Sequence, residues 1–302
     1  MKSRFIFAIL GVIVAITMAA CGKETVESYA NKYEAFLEGG ESLFFHDYRE
    51  DNLFEEFIEI DNGYTLDELL QAVVTYYELE KTPTVEYAYM DCGNDGVEEL
   101  AVRFCGTERY SEGDDSTIVF VVKEKGDKLE MCFAYETWAR SDSTLNYCGY
   151  YTSAGSGGAS IHGWDVGYID GTGQYIFVQA GEEESNINQL FLDDELGKVP
   201  EIAETKQYEG EISVVTTYMD RVYEDRGEYD WYYYKDRYYT FYVDGADEKI
   251  SDIYAAGVYK EIFDEAGIKT YRPEEIDALI LEKEESLGIT EEIRQGKLLE
   301  WN

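Results

Sequence analysis

Paired runs of strand-forming residues, separated by turn signals, constrain the fold of this chain more than any other feature. Residues 85–90 and 98–105 flank a loop rich in glycine and aspartate, and residues 117–123 and 129–135 flank a Gly-Asp dipeptide. Gly-Asp between two such runs is typical of a hairpin turn. We therefore expect antiparallel strands through the middle of the chain.

Glycine, serine and acidic residues predict where this region is interrupted. Residues 145–151, 174–179 and 212–218 are predicted as further strands. The stretch TSAGSGGASIHGW, residues 152–164, is predicted as a loop because glycine and serine favour turns. The acidic stretch GEEESN, residues 181–186, is interpreted as either a domain boundary or a surface loop.

Helical periodicity lies on both sides of the strands. Residues 25–38 place apolar side chains at helical spacing, and Thr65 with Glu68 forms a T-x-x-E capping box before an apolar stripe. Further helices are predicted over 251–266, over 274–287 and after Thr290. This order predicts an α+β fold, with antiparallel sheet or sheets and helices at the N-terminal and C-terminal ends.

The first twenty residues have the organisation of a signal peptide. Lys2 and Arg4 form a positively charged start, and residues 5–18 form an apolar run. That run is long enough for the core of a signal peptide and short for a membrane span. We expect residues 1–20 to be removed.

The end of this segment, Met18-Ala19-Ala20-Cys21, resembles the lipobox of bacterial lipoproteins. The resemblance implies that Cys21 receives a diacylglycerol thioether and becomes the mature N-terminus. Two or more acyl chains give stable anchoring, so the protein is expected on the extracytoplasmic face of the cell membrane. The alternative is an ordinary secretory signal with a structural Cys21.

The mature chain is long enough for one large domain or two smaller ones. We interpret residues 21–25 as the lipidated N-terminus and a short linker. Residues 26–180 are then an α+β region, and residues 181–302 hold a β-hairpin and the C-terminal helices. The last two regions alternatively form one domain.

The charge of the chain excludes one class of partner. The full chain carries −39, and removal of Lys2 and Arg4 with the signal peptide makes the mature part −41. Such a field repels phosphate backbones, so we expect no nucleic-acid partner. It attracts cations. An aromatic content of 15% indicates a folded chain rather than a disordered one.

Four cysteines follow the lipobox. Their even number permits two disulfides in an exported chain, but buried thiols are equally compatible with the sequence. No C-x-x-C spacing occurs, which argues against a zinc site. The four are Cys92, Cys105, Cys132 and Cys148.

The loop YMDCGNDGVEEL, residues 89–100, is the candidate metal site. It resembles the D-x-D-x-D-G-x-x-[DE]-L loops of FG-GAP-like repeats and of lipoproteins from Gram-positive anaerobes. The resemblance implies calcium ligation by Asp91, Asp95 and Glu99. Gly93 occupies the position of another carboxylate, so one ligand of the pattern is missing. The competing interpretation is a hairpin turn, which the residues Asn-Asp-Gly favour.

The segment EYDWYYYKDRYYTFYV, residues 228–243, has the most unusual composition of the chain. Alternation places Tyr229, Trp231 and Tyr233 on one face of a strand. The preferred interpretation is a buried hairpin, since tyrosine buries a large area while its hydroxyl finds a partner. The alternative is a displayed platform that stacks sugars or the side chains of a partner.

No motif assigns a catalytic residue. The 64 acidic residues supply many carboxylate pairs, so no single pair indicates a glycosidase. The sequence therefore favours a lipid-anchored, surface-exposed acidic binding or interaction protein with no identified ligand. In one interpretation, calcium orders the loop at residues 91–99. A glycan or a protein is the expected kind of ligand. The alternative is an extracellular carboxylate-dependent hydrolase acting on glycans or peptidoglycan.

Overall fold

The structure is a computed structural model in which the chain has a mixed α/β fold with two antiparallel-rich sheets and few helices. The described residues are 31–46, 52–55, 57–108, 113, 115–189, 196–225, 230–244 and 252–302. The predicted signal peptide and Cys21 lie outside these residues.

The first sheet has six strands. They are β1 (Leu43–Phe44), β2 (Gly63–Tyr64), β3 (Thr84–Met90), β4 (Glu99–Cys105), β5 (Thr117–Lys125) and β6 (Lys128–Thr137). Their order is β2-β1-β6-β5-β4-β3. Both hairpins predicted from the turn signals are confirmed, because β3 pairs antiparallel with β4 and β5 with β6. The short β1 pairs parallel with β6.

The second sheet also has six strands, and they follow one another in chain order. They are β7 (Ser141–Leu145), β8 (Tyr150–Ser156), β9 (Ile161–Ile169), β10 (Tyr175–Glu184), β11 (Glu211–Asp225) and β12 (Asp230–Asp244). Every neighbouring pair is antiparallel, with β7 and β12 at the edges. This is a meander, in which each strand returns beside the one before it.

Three sequence predictions in this sheet are wrong. Residues 145–151 are not one strand, because β7 ends and β8 begins within them. The Asn146 side chain accepts hydrogen bonds from the backbone N–H groups of Cys148 and Tyr150, at 2.9 and 3.0 Å, and Gly149 has a φ of 88°. These contacts close a tight turn that strand propensity alone does not reveal.

The predicted loop over residues 152–164 is instead most of the β8–β9 hairpin. Within it, Gly155 and Gly163 pair with each other across the two strands, so a composition rich in glycine and serine does not exclude a hairpin. Two glycines of the same sheet that lie outside the predicted loop make room for large rings. A Cβ atom at Gly167 would overlap the Tyr175 ring, and one at Gly181 would overlap the Trp164 ring. Glycine within a strand commonly marks such a close approach.

The acidic stretch 181–186 is likewise mostly strand, since β10 continues to Glu184. Glu184 is buried and pairs with Ile161 on β9 and with Val214 on β11. Residues 181–184 are therefore neither a linker nor a surface loop, and the second sheet runs through them.

Seven helices occur among the described residues. They are α1 (Lys32–Leu37), α2 (Asn52–Glu55), α3 (Leu66–Tyr76), α4 (Val199–Glu204), α5 (Val258–Ala266), α6 (Pro273–Ser286) and α7 (Glu291–Arg294). The capping box of α3 is confirmed, because the Thr65 hydroxyl accepts from Glu68 N and the Glu68 carboxylate accepts from Thr65 N. The helix predicted from 251 begins only at Val258.

Apolar side chains pack on both faces of each sheet. α1 and α3 cover one face of the first sheet. The other face of that sheet packs against the second sheet, through residues such as Phe133, Leu145 and Tyr175. The outer face of the second sheet packs against residues 287–293, and its β11–β12 end packs against α4 and α5. The two sheets therefore enclose a shared apolar layer.

Candidate functional site

The Asp-rich loop forms a tight turn between β3 and β4. The Asp91 carboxylate accepts hydrogen bonds from Asp95 N at 2.8 Å and from Gly96 N at 3.1 Å. The Asp95 carboxylate accepts from Val97 N at 2.8 Å. Aspartates that bond to backbone amides a few residues ahead stabilise turns of this kind. Both side chains thus have partners without a metal.

Glu99, the third predicted ligand, lies in a different environment. It is fully buried, forms an ion pair with Lys123 on β5, and accepts from Cys92 N at 2.7 Å. Burial raises the pKa of the Glu99 carboxyl, opposed by the hydrogen bond from Lys123. Within the described residues no three His, Cys, Asp or Glu side chains come close enough to hold a metal ion. Calcium binding by Asp91, Asp95 and Glu99 stays a prediction.

The glycine at the missing ligand position has a structural cause. Gly93 has a φ of 81°, and a Cβ atom there would lie 2.5 Å from the backbone nitrogen of Gly171. Gly171 belongs to the turn between β9 and β10, where the Asp170 carboxylate accepts from Thr172 N and Gln174 N. Two aspartate turns therefore meet at Gly93, and no side chain fits between them.

The tyrosine-rich segment is partly buried and partly displayed. Tyr239 and Phe241 are buried against α5, as the core interpretation expects. Tyr233, in contrast, is 43% exposed. Tyr229 and the Trp231 side chain lie outside the described part of the chain. The stacking platform of Trp231, Tyr229 and Tyr233 stays a prediction.

One arginine organises the aromatic side chains beside this segment. The Arg221 guanidinium lies 5.0 Å from the ring centroids of Phe177 and Tyr223, and 5.1 Å from that of Tyr232. Asp165, on β9, accepts a 3.0 Å hydrogen bond from the Tyr175 hydroxyl. Burial raises the pKa of the Asp165 carboxyl, opposed by the charge of Arg221. The Asp165 carboxylate therefore has a hydrogen-bond donor in Tyr175 and a nearby positive charge in Arg221.

The four cysteines of the folded region are free thiols. Cys92, Cys132 and Cys148 are buried, and burial raises the pKa of the Cys92 and Cys148 thiols. Of the two interpretations that the sequence leaves open, the structure has unpaired thiols.

The candidate ligand site is a cleft of about 360 Å³ between the first sheet and the edge strand β7 of the second. Strands β4, β5 and β6 form one wall, the edge strand β7 forms the other, and residues 298–301 close one side. This volume lies within the range of small-molecule sites, about 300–1,000 Å³. The lining residues are Arg103, Thr117, Val119, Tyr135, Thr137, Ser141, Asp142, Ser143, Thr144, Leu145, Leu298, Leu299 and Trp301.

Polar groups of the cleft are held in place by neighbours. The Arg103 guanidinium forms an ion pair with Glu86 and lies 4.4 Å from the centroid of the Trp301 ring. Asn302 in turn donates to the Tyr87 carbonyl at 2.9 Å, so the chain after Trp301 is tied to β3. The indole ring is therefore fixed from two directions.

The opposite wall carries hydroxyl groups on an open sheet edge. Ser143 donates to the Ser153 hydroxyl at 2.9 Å, and the Thr144 and Thr152 hydroxyls lie 2.7 Å apart. Asn146 N donates to Tyr150 O. Since bonding alternates along an antiparallel pair, Ser143 directs its backbone N–H and C=O away from β8 and toward the cleft.

Sequence reasoning missed this cleft. Residues 141–145, SDSTL, carried no recognised strand signal, and Trp301 was not singled out. Alternating serines before a buried leucine are a usable signal for an edge strand with one polar row. The meeting of β7 with β4 through β6 depends on tertiary packing, which no local pattern encodes.

A shallower depression of about 540 Å³ lies beside the Asp-rich turn. Glu291 and Glu292 line it, together with Tyr147 and Lys297. The Lys297 ammonium lies 4.8 Å from the Tyr147 ring centroid. The two glutamates are consecutive on the first turn of α7, so they do not face each other across a ligand-sized gap.

Comparison with protein-family models, with curated proteins and with solved structures found no match for this chain. Among the described helices, none is both long and apolar enough to cross a membrane.

Proposed function

We propose that this chain is a lipid-anchored binding protein of the extracytoplasmic membrane face, and that the cleft between its sheets is the ligand site. The proposed organisation is α+β, with helices at the N-terminal and C-terminal ends. The supporting observation is the lining of the cleft, which among the described residues combines one tryptophan, one arginine, one tyrosine and five serine or threonine side chains with a single carboxylate.

Such a lining suits binding. Ligand sites join apolar surface to a few fixed polar groups that set orientation. Here Val119, Leu145 and Leu299 supply apolar surface, while Arg103 and Ser143 are held by hydrogen bonds or ion pairs. Ordered polar groups lose little freedom when a ligand binds, which favours affinity.

The same lining disfavours glycoside hydrolysis at this site. Glycosidases of the usual kind place two carboxyl groups about 5–10 Å apart across the scissile bond. Asp142 is the only carboxylate among the described residues that line the cleft. The lining of the cleft therefore supports the binding proposal better than the hydrolase alternative.

The proposed anchor places the cleft near the membrane. Cys21 precedes Asn31, the N-cap of α1, by ten residues. A fully extended segment of that length spans about 35 Å at most. A lipid on Cys21 would hold the binding domain within this distance of the bilayer, where cell-envelope polymers and partner proteins are available.

The test blocks the cleft without disturbing the fold. Thr137→Trp fills the cleft. Thr84→Trp, at an exposed position at the start of β3 and outside the lining, is the matched control. The detergent-solubilised full chain is screened by thermal shift against cell-wall fragments, soluble oligosaccharides and peptides. A ligand that stabilises wild type and Thr84→Trp, but not Thr137→Trp, supports the proposal.

The same samples distinguish binding from hydrolysis. Release of new reducing ends from any oligosaccharide, lost in Thr137→Trp, would replace the binding proposal with the hydrolase. Stabilisation that persists in Thr137→Trp would place the ligand elsewhere. Either result rejects the cleft as a pure binding site.

A further inference from the structure

We infer that the ligand of the cleft is an uncharged carbohydrate. This inference rests on the proposed function, because it assigns a ligand class to the same cleft. Three properties of the lining carry it: hydroxyl chemistry, a fixed indole ring and the sign of the local charge.

The hydroxyl groups match a polyol. A serine or threonine hydroxyl donates one hydrogen bond and accepts two, as does each hydroxyl of a sugar. The Ser141 hydroxyl is engaged with the backbone of Trp138, so it shapes the wall. Ser143 shares the inward face of β7 with the buried Leu145. It retains acceptor capacity beyond its bond to β8, and Thr117 and Thr137 face it from the first sheet.

The indole ring supplies an apolar surface of fixed orientation. Arg103 lies over Trp301, and Arg103 is itself held by Glu86. Aromatic rings offer a large rigid surface at low entropic cost, and the C–H face of a sugar ring is apolar. Hydroxyl groups beside one fixed aromatic ring therefore complement one C–H face of a sugar and its hydroxyl-bearing edge.

The charge of the cleft disfavours an anionic sugar. Among the described residues of the lining, Arg103 is the one cation and is paired with Glu86, and Asp142 adds a negative charge. The mature chain carries −41 in total, so its field opposes the approach of uronates or sulfated glycans. A neutral sugar meets no such barrier.

The open edge of β7 is too short to favour an extended peptide. Recognition by strand addition uses main-chain bonds along several residues of an edge. Ser141 N already donates to Trp138 O, and Tyr147 N donates to Lys297 O at 2.7 Å. Only Ser143 and Leu145 lie between these positions with backbone groups directed outward. The backbone groups of two residues are too few to hold an extended peptide, but they are enough to form hydrogen bonds with sugar hydroxyls.

Calorimetric titration of the detergent-solubilised full chain tests the inference. The neutral probes are linear tetrasaccharides of glucose, xylose, mannose and N-acetylglucosamine. Tetragalacturonate is the anionic probe, and a panel of tetrapeptides represents the peptide class. Trp301→Ala and Thr137→Val alter the cleft, while Thr84→Val is the control for a threonine-to-valine change outside it.

At least one neutral tetrasaccharide is expected to bind. Thr137→Val should weaken binding about tenfold, since a lost hydrogen bond leaves a sugar hydroxyl unpaired. Trp301→Ala should weaken binding at least as much, and Thr84→Val should change nothing. The isosteric Thr137→Val keeps the test informative if Trp301→Ala does not fold.

Three results would overturn the inference. They are binding of tetragalacturonate in preference to every neutral sugar, binding of peptides alone, and binding of no neutral sugar. The proposed function survives the first two if Thr137→Trp abolishes that binding. It fails separately if a neutral sugar binds with equal affinity to Thr137→Trp, because the ligand would then lie outside the cleft.

Discussion

The Tyr150 hydroxyl donates a 2.7 Å hydrogen bond to Glu284, and this bond joins β8 of the second sheet to α6. The other Glu284 oxygen accepts from Arg294 Nε at 2.8 Å, which adds α7 to the same junction. The Glu284 side chain is only 4% exposed. Burial, reinforced by Glu284, raises the pKa of Tyr150. Because α7 leads into the segment that closes the cleft, this junction supports the site.

We predict that Glu284→Ala destabilises the protein by about 2–4 kcal/mol, because it leaves the Tyr150 hydroxyl and the Arg294 guanidinium without their shared acceptor. Chemical unfolding measures the loss. Glu285→Ala, on the exposed face of the same helix, is the control and should change stability by less than about 0.5 kcal/mol. An equal loss of stability in the two variants would contradict the role assigned to Glu284 at this junction.

A second prediction concerns Asp165 and pH. Burial raises its pKa, opposed by Arg221. Wild type therefore loses stability as pH rises from the unfolded-state pKa, about 3.9, through the higher folded-state pKa. Asp165→Asn keeps an acceptor for Tyr175 and lacks this titration. Its stability relative to wild type should increase with pH over that window.

Urea unfolding at a series of pH values measures this difference. The attraction of Arg221 for the ionised carboxylate is part of the folded-state pKa, whereas changes in packing and hydrogen bonding caused by the amide hardly depend on pH, so the slope carries the test. Asp244→Asn, at an exposed position, controls for removal of one charge. A difference that falls with rising pH would show that Asp165 has a depressed folded-state pKa.

A third prediction separates the buried and displayed parts of the tyrosine-rich segment. The Tyr234 ring stacks on Tyr218 with centroids 4.5 Å apart, whereas neighbouring Tyr233 is 43% exposed. Tyr234→Ala should cost about 2–4 kcal/mol, through lost packing, and Tyr233→Ala less than about 1 kcal/mol. Thermal unfolding measures both. A similar loss of stability in the two variants would mean that the Tyr233 side chain is packed as closely as the Tyr234 ring and is not displayed.

Local sequence signals recovered much of the fold. The turn chemistry at Gly126 and the capping box at Thr65 act within a few residues, so the hairpin and the helix followed from the sequence. The signals failed where long-range packing decides. Residues 152–164 are rich in glycine and serine, which predicts a loop, yet they form most of the β8–β9 hairpin.

The candidate site was less accessible to sequence reasoning. Asp91 was singled out for metal binding, yet its carboxylate caps a turn. The cleft, in contrast, joins Arg103 to Ser143 and Trp301, which are far apart along the chain. Their meeting depends on how the two sheets pack against each other, and strand periodicity says nothing about the relative placement of two sheets.

A fourth prediction tests the anchor. If Cys21 carries the lipid, Cys21→Ser should release the protein from the membrane fraction, because a thioether requires the thiol. Immunoblotting of membrane and soluble fractions measures the change. Cys105→Ser, which alters a half-buried thiol of the folded region, is the control and should stay in the membrane fraction. A processed Cys21→Ser protein that remained with membranes would refute the lipobox.

The fifth prediction concerns the turn built on Asp91. Asp91→Ala removes an acceptor for Asp95 N and Gly96 N and should destabilise the protein by about 1–2 kcal/mol. Asp91→Asn keeps one oxygen and should cost less. Asp127→Ala, in another hairpin turn, is the control for removal of an aspartate. Chemical unfolding in chelator ranks the three variants without a contribution from metal.

Calcium is tested on the same turn. Binding to the folded state alone raises the free energy of unfolding by about 2.7 kcal/mol at a hundredfold excess over Kd. With Gly93 at a ligand position, the expected Kd is about 10⁻⁴–10⁻³ M, as in extracellular modules.

Thermal melts of wild type and Asp95→Ala, each in calcium, in magnesium and in chelator, distinguish a calcium site from a plain turn. A calcium-specific rise that Asp95→Ala abolishes establishes a metal site. Equal shifts with both ions reflect screening of the negative charge of the chain, −39 over the full sequence, and leave a turn held by backbone amides.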